Sequence, residues 1–427
     1  MRALKLLPAA LVLGLIAAPA YAQVPEVLTD SGNTAWMLSS ALFVLMATVP
    51  GFALFYAGRV RAKNMLSIPL QIGAVMAVVS ALWIAIGYSI AFSADGGDWL
   101  GSLSNAMFAD TLAVREGQSI GEIVFALFNM MPAILAPVIL VGAYAERARF
   151  GWVLVFSALW SLMVYAPVAR WTQGGGWLAD MGVIDFAGGL TVHLTAGVAA
   201  LVIALMIGRR RDFDARGVFA SNGVVSLGGL GLIWIGWLAL SGGSALTASD
   251  LGAGSAIVNT HLAACLSALV WAALDRRRYG HATLSGFALG AIAGHVAISA
   301  AAGSVGPLGA LIVGALAAIL CRTMFGLIQS KLSIDDAMGV FALHGTGAVV
   351  GVMLTAILSA SAFDGVGYAD GAGVLSQLVI QLVAVGAVAA WTAVATLILG
   401  YAVSAALPMR VSAEVEERGL DALIDQI

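Results

Sequence analysis

The sequence predicts an all-α polytopic membrane protein with eleven transmembrane helices arranged as an inverted five-helix repeat. Three observations predict it. Hydrophobic residues make up 61% of the 427 positions and charged residues only 10%, where an ordinary soluble protein carries about 25% charged residues. Apolar runs of roughly 20 residues, the length that crosses a hydrocarbon core, recur along the chain. Lys and Arg fall in every second loop between those runs. The mean hydropathy of +0.99 and the 51 glycines agree, because small residues let membrane helices approach closely.

The N-terminus reads as a signal peptide over residues 1–22. Arg2 and Lys5 precede an apolar stretch, 6–18, and then Ala20-Tyr21-Ala22 supplies a small-x-small cleavage site. Cleavage leaves Gln23 first; an uncleaved first helix is the alternative, and both put this end outside the cell. Residues 23–407 form the eleven-helix domain and 408–427 a cytoplasmic tail. The predicted spans are 34–57, 67–93, 120–145, 151–170, 186–207, 219–240, 254–274, 283–301, 306–328, 339–361 and 374–405.

The basic residues test that count. With the N-terminus outside, loops after odd-numbered spans are cytoplasmic, and they hold Arg59, Arg61, Lys63, Arg147, Arg149, Arg209 to Arg211, Arg216, Arg276 to Arg278, Arg322 and Lys331. The tail adds Arg410 and Arg418, while Arg115 and Arg170 alone lie on the other side. A multi-pass protein of a bacterial inner membrane, N-terminus out and C-terminus in, follows. The net charge of −3 implies no nucleic-acid partner. Cys265 and Cys321 sit in apolar runs without metal-ligand spacing and read as small hydrophobes. With no nucleophile constellation, metal cluster or phosphate loop, an enzyme is not expected, nor a cofactor.

Two segments repeat in the same order. Gly51-Phe-Ala-Leu-Phe-Tyr-Ala-Gly58 resembles Gly236-Trp-Leu-Ala-Leu-Ser-Gly-Gly243, and Val-His193-Leu-Thr-Ala-Gly resembles Leu-His344-Gly-Thr-Gly-Ala. Each match is five spans apart, so the copies enter the membrane from opposite sides. Equivalent residues then meet on the pseudo-two-fold axis. His193 and His344 are therefore expected to share a hydrogen bond, one ring nitrogen donating and the other accepting, with the remaining nitrogens facing a central pore. Asp185 opens the fifth span, where it serves as a helix cap, as a pull on a cation, or both. Ser244 ends the sixth and offers an acceptor to an amine. His261 and His295 have no symmetric mate and read as structural donors to carbonyls of neighbouring helices; Asp335 and Asp336 read as a cap of the tenth span.

The chain resembles the ammonium transporter family (Amt, Mep and Rh proteins) along nearly its whole mature length. The resemblance rests on Val49-Pro-Gly51, Ala53-Leu-Phe-Tyr56, Lys63-Asn-Met-Leu-Ser67, Gly142-Ala-Tyr-Ala-Glu-Arg147, Asp185-Phe-Ala-Gly-Gly189 with His193, Val340-Phe-Ala-Leu-His344-Gly345 and Glu416-Glu-Arg-Gly-Leu-Asp421. It implies a homotrimer with one central pore per subunit, an outer ammonium site, two stacked gate phenylalanines and twin histidines. The twin histidines carry over to His193 and His344, the structural aspartate to Asp185 and the outer serine to Ser244. The aromatics do not: the gate positions are Pro132, beside Met130 and Met131, and Leu240, and the outer tryptophan position is Gln173. Trp171 and Phe128 lie close enough in sequence to substitute for the missing rings, and the methionines with Leu240 to form an apolar constriction. Since a cation over an aromatic face gains about 0.5–2 kcal/mol, three expectations stand. The first is an ammonium or ammonia transporter. The second is a carrier or channel of the same fold for another small amine or neutral solute. The third is a sensor acting through a cytoplasmic partner, for which the family precedent is a P-II regulatory protein at the acidic tail.

Overall fold

The computed structural model describes residues 29–213, 221–368 and 371–424; the predicted signal peptide and Arg216 lie outside the described residues. Among the described residues eleven long helices follow one another along the chain. They are α1 Ser31–Ala57, α2 Ala62–Phe92, α3 Glu122–Tyr144, α4 150–172, α5 Gly189–Ile207, α6 Gly223–Gly243, α7 Gly252–Tyr279, α8 Leu284–Ile298, α9 Pro307–Lys331, α10 Phe341–Leu358 and α11 Val374–Ala406. A short α12, Ala413–Arg418, lies in the tail. Ten are long and apolar enough to cross a bilayer; α8 has 15 residues and then breaks into turns around Ser299–Gly306 rather than continuing to 301. The predicted eleven-helix count agrees with this architecture.

Several helices widen into a π-turn, and three of these turns hold a proline or a candidate histidine. In α1 the turn Ala47–Gly51 contains Pro50, which has no N–H to close a regular turn. In α5 and α10 the π-turns are Gly189–Leu194 and Phe341–Gly345, so both candidate histidines sit in one. Glycine sets how closely these helices cross. A Cβ on Gly197 of α5 would lie 2.1 Å from the Gly345 nitrogen of α10, so a side chain there would drive the two apart. Gly236 of α6 makes the same approach to α1, 2.4 Å from the Phe43 carbonyl oxygen. The helices that touch, α1 with α6 and α5 with α10, are the pairs the sequence repeat relates.

The basic loops gather at one end of the bundle, as the alternation of charge requires. Arg210 bonds Glu146 Oε2 at 2.5 Å and Asp335 Oδ1 at 2.7 Å, and Arg61 bonds Glu146 Oε1 at 2.7 Å. Glu146 is held at φ 71 by these partners and by Asn64, a strained conformation for a residue with a Cβ. Burial alone would raise the carboxyl groups of Glu146 and Asp335. Arg210 with Arg61 for the first, and Arg147 with Arg210 for the second, instead hold them below the usual carboxylate range. The tail closes over this network. Asp421 accepts from Leu66 N at 3.0 Å and Ser67 N at 2.9 Å, capping the helical run Ser67–Leu82, and Glu416 clasps Arg410 at 2.8 Å. At the opposite end the two outlying cations are also fixed. Arg170 donates to the carbonyls of Ser93, Gly96 and Gly97, and Arg115 pairs with Glu122 at 2.8 Å over the Phe125 ring.

Candidate functional site

The site is built from two copies of one local structure. In the first, Asp185 precedes Gly188 (φ +86) by three residues and His193 by eight. In the second, Asp336 stands at the same distances from Gly339 (φ +72) and His344. The positive φ lets the chain turn back, so each aspartate caps the helix that carries its histidine. Asp185 accepts from Leu190 N at 2.9 Å, Thr191 N at 3.0 Å and the Thr191 hydroxyl at 2.8 Å. Asp336 accepts from Phe341 N at 2.7 Å. The pattern Asp-x-x-Gly-x-x-x-x-His is readable in both halves, yet comparing only the residues after each histidine misses it.

These caps aim the histidines at each other. The Nδ1 atoms of His193 and His344 are 3.3 Å apart, with ring centroids 5.3 Å apart. One ring therefore donates and the other accepts. The rings are 0% and 2% exposed, His193 Nε2 has no protein partner, and Trp237 of α6 stacks on His193 at 4.9 Å and lies 6.3 Å from His344. Trp237 is held by its indole N–H, which donates to the Ser299 hydroxyl at 3.0 Å. No signal in the sequence marked it beyond its place in the repeated segment.

The outer residues divide. Leu240, one turn beyond Trp237, is buried, and its carbonyl accepts from the Ser244 hydroxyl at 2.8 Å. The Phe128 ring packs where a Cβ on Gly243 would fall, 2.4 Å from its Cε2, which puts this ring beside Ser244. Pro132 and Met131 are buried in α3; Pro132 leaves the Phe128 carbonyl without its helical donor. Gln173 donates to the Asp185 carbonyl at 3.1 Å.

Three expectations need correction. Trp171 does not turn toward the vestibule: its indole donates to Trp99 O at 2.9 Å and its ring packs among Trp99, Trp177 and Trp391. Asp185 does not offer its carboxylate to a cation, because both oxygens are taken up by the start of α5; burial first of all raises its pKa, against those hydrogen bonds. His295 donates not to a neighbouring helix but to Ala291 of its own, at 2.9 Å, while His261 accepts from the Trp234 indole at 3.1 Å. Among the described residues no cluster of three metal-ligating side chains occurs.

A buried imidazole pair, carried at matching positions of two repeated halves within a bundle of membrane-length helices, is the kind of site found in a membrane transport protein. More specifically, the chain belongs to the ammonium transporter family, whose model, Ammonium Transporter Family, matches residues 35–425. It is 39% identical over 425 residues to a protein of Mycobacterium tuberculosis (strain ATCC 25618 / H37Rv) named Ammonium transporter, covering 92% of this chain and 88% of that one. Among solved structures it is similar to a Sensor Amt Protein (TM-score 0.85, 27% identity, 92% of this chain and 98% of that one). It is similar also to Saccharomyces cerevisiae Mep2 (TM-score 0.82, 32% identity, 91% of this chain and 89% of that one).

Proposed function

We propose that this chain moves ammonium, as ammonia and a separately relayed proton, through a pore lined by His193 and His344. The observation that carries this reading is the buried 3.3 Å contact between the two imidazoles. A pair that shares one hydrogen bond presents an acceptor to an N–H donor and a route for its proton. The buried Leu240, Pro132 and Met131 serve as the constriction that strips water; Ser244, with the Phe128 ring beside it, and Gln173 form the outer site. Methylammonium uptake, or an ammonium-evoked current, in proteoliposomes of the purified chain tests the proposal. Uptake no greater than in empty vesicles overturns it.

The outer site favours a second reading, another small amine or a neutral solute. Gln173 presents an amide where the family pattern has an indole, and Trp171 does not replace it. On that reading, Pro132→Phe with Leu240→Phe abolishes transport of the native substrate, whereas on the first it improves ammonium selectivity. We further infer a homotrimer in a bacterial inner membrane, with the tail cytoplasmic. The tail, anchored through Asp421 and Glu416, is the surface on which a P-II regulatory protein would dock. A sensor role is supported by the likeness to the Sensor Amt Protein, and it predicts that ligand binding alters partner capture without net transport.

A further inference from the structure

We propose that His295 is a third imidazole of the conduction path: its Nε2 is an acceptor site for a small N–H or O–H donor, ammonia or water, reached past Trp237. The proposal rests on the transport reading above. The tautomer of His295 is fixed by the backbone. His295 Nδ1 lies 2.9 Å from the Ala291 carbonyl, which only accepts, so Nδ1 carries the proton. Nε2 of the neutral ring is then a lone-pair acceptor. It has no hydrogen-bond partner, and His295 is 0% exposed. Its neighbours do not supply a donor. The Trp237 N–H is committed to Ser299, and the Trp234 N–H to His261 Nδ1. An ionisable side chain left in this state inside a membrane is a functional signal rather than packing.

Its position connects it to the pair. Trp237 touches His193 at 4.9 Å and His295 at 5.2 Å, while Trp234 meets His295 edge-on at 4.9 Å. Ser299 accepts from the Trp237 indole and donates to the His295 carbonyl at 2.9 Å, so α8 fixes both the indole and the third ring. His295 is buried as deeply as His193, and both rings hold an unpartnered Nε2. One indole thus separates two unpartnered ring nitrogens, of which the His295 Nε2 is fixed as an acceptor. A small donor that leaves the twin pair finds the His295 acceptor one ring away, a function that an apolar residue at 295 cannot supply.

The test compares full-length wild type, His295→Leu and His295→Gln in proteoliposomes, with thermal unfolding as the control for folding. Leu matches the volume and suits a membrane interior, but it accepts nothing; Gln keeps an acceptor oxygen at similar reach. We expect His295→Leu to reduce the ammonium-evoked current at least about fivefold and His295→Gln to keep at least half of it. A purely structural role gives the opposite order. Wild-type current in His295→Leu, or an equal fall in both variants, overturns the proposal. A high-resolution structure determined in ammonium chloride supplies the second readout. A non-protein peak within hydrogen-bond distance of Nε2, lost in His295→Leu, is expected, and its absence overturns the proposal. This readout holds even where wild type carries no current, a result that removes the transport reading alone.

Discussion

The two copies of the Asp-x-x-Gly-x-x-x-x-His unit share a backbone and differ in what surrounds them. The outer copy spends its whole carboxylate on α5: Asp185 takes two backbone N–H groups and a hydroxyl. The inner copy leaves Asp336 Oδ1 without a partner, and it lies beside the ion pairs that Arg210 makes with Glu146 and Asp335. The symmetric part of the repeat therefore brings the two histidines together, and the asymmetric part sets the two ends of the proposed pore. The cap at the outer end is tied down by hydrogen bonds, with the cations there, Arg115 and Arg170, held apart from it on Glu122 and on backbone carbonyls. The inner end is held by buried charge and closed by the tail.

The largest effect should fall on what the copies share. His193→Ala and His344→Ala should each reduce methylammonium uptake by about 100-fold or more, the size of a lost proton-transfer step. The double variant should be no worse than either alone, because the rings act as one unit. Substantial uptake in one single variant would break the equivalence. The next effect belongs to the inner end alone. Arg210→Met leaves Glu146 and Asp335 buried with their main partner gone, a loss of about 3–5 kcal/mol by the usual cost of breaking a buried pair from one side. Thermal unfolding in detergent reads it; an unchanged midpoint would mean that Arg61 and Arg147 carry the network.

Much of this arrangement was legible in the sequence, and the failures are local. Spacing and charge alternation predicted the eleven spans, and the repeat predicted the histidine contact, because both follow from the period of the chain and its symmetry. The orientation of Trp171 is not legible because the loop holding Trp99, 72 residues away in sequence, captures its indole. The role of Trp237 depends on a ring plane that no spacing encodes. Asp421 reaches Leu66 across 355 residues, a contact that only the assembled bundle brings about. Asp185 and Asp336 each stand eight residues before a histidine, a signal that lies upstream of the segments whose likeness reveals the repeat.

The third prediction concerns pH, and the inner aspartate carries it. Burial, with Asp335 nearby, raises Asp336 to about 6, against about 3.9 for an unfolded chain. The folded protein therefore holds a proton that the unfolded chain releases between about pH 4 and 6. Asp336 makes stability fall as pH rises through that window, by up to about 3 kcal/mol in total. Glu146 and Asp335 act in the opposite sense. Their pKa values are depressed, so the stability they give is present above the unfolded values and is lost as pH falls below about 4. Unfolding midpoints from pH 4 to 7 should slope downward in wild type and flatten in Asp336→Asn; a parallel slope in both would remove Asp336 as the cause.

The smallest effect is also the sharpest test of the comparison, because one substitution is made in both copies. At pH 7.5, Asp185→Asn puts an NH2 group against N–H and O–H donors that now have a carboxylate to bond. One cap hydrogen bond goes, at a cost of about 1 kcal/mol. Asp336→Asn keeps an oxygen for Phe341 N and replaces a buried, unpartnered charged oxygen with a neutral group. Stability at that pH should stay level or rise by about 1 kcal/mol, since the charge removed was the one that burial opposed. Opposite signs for the same change would show that the two caps share geometry but not electrostatics. Equal losses would mean that the Asp336 carboxylate is held by the Arg147 side of the network as firmly as Asp185 is held by α5.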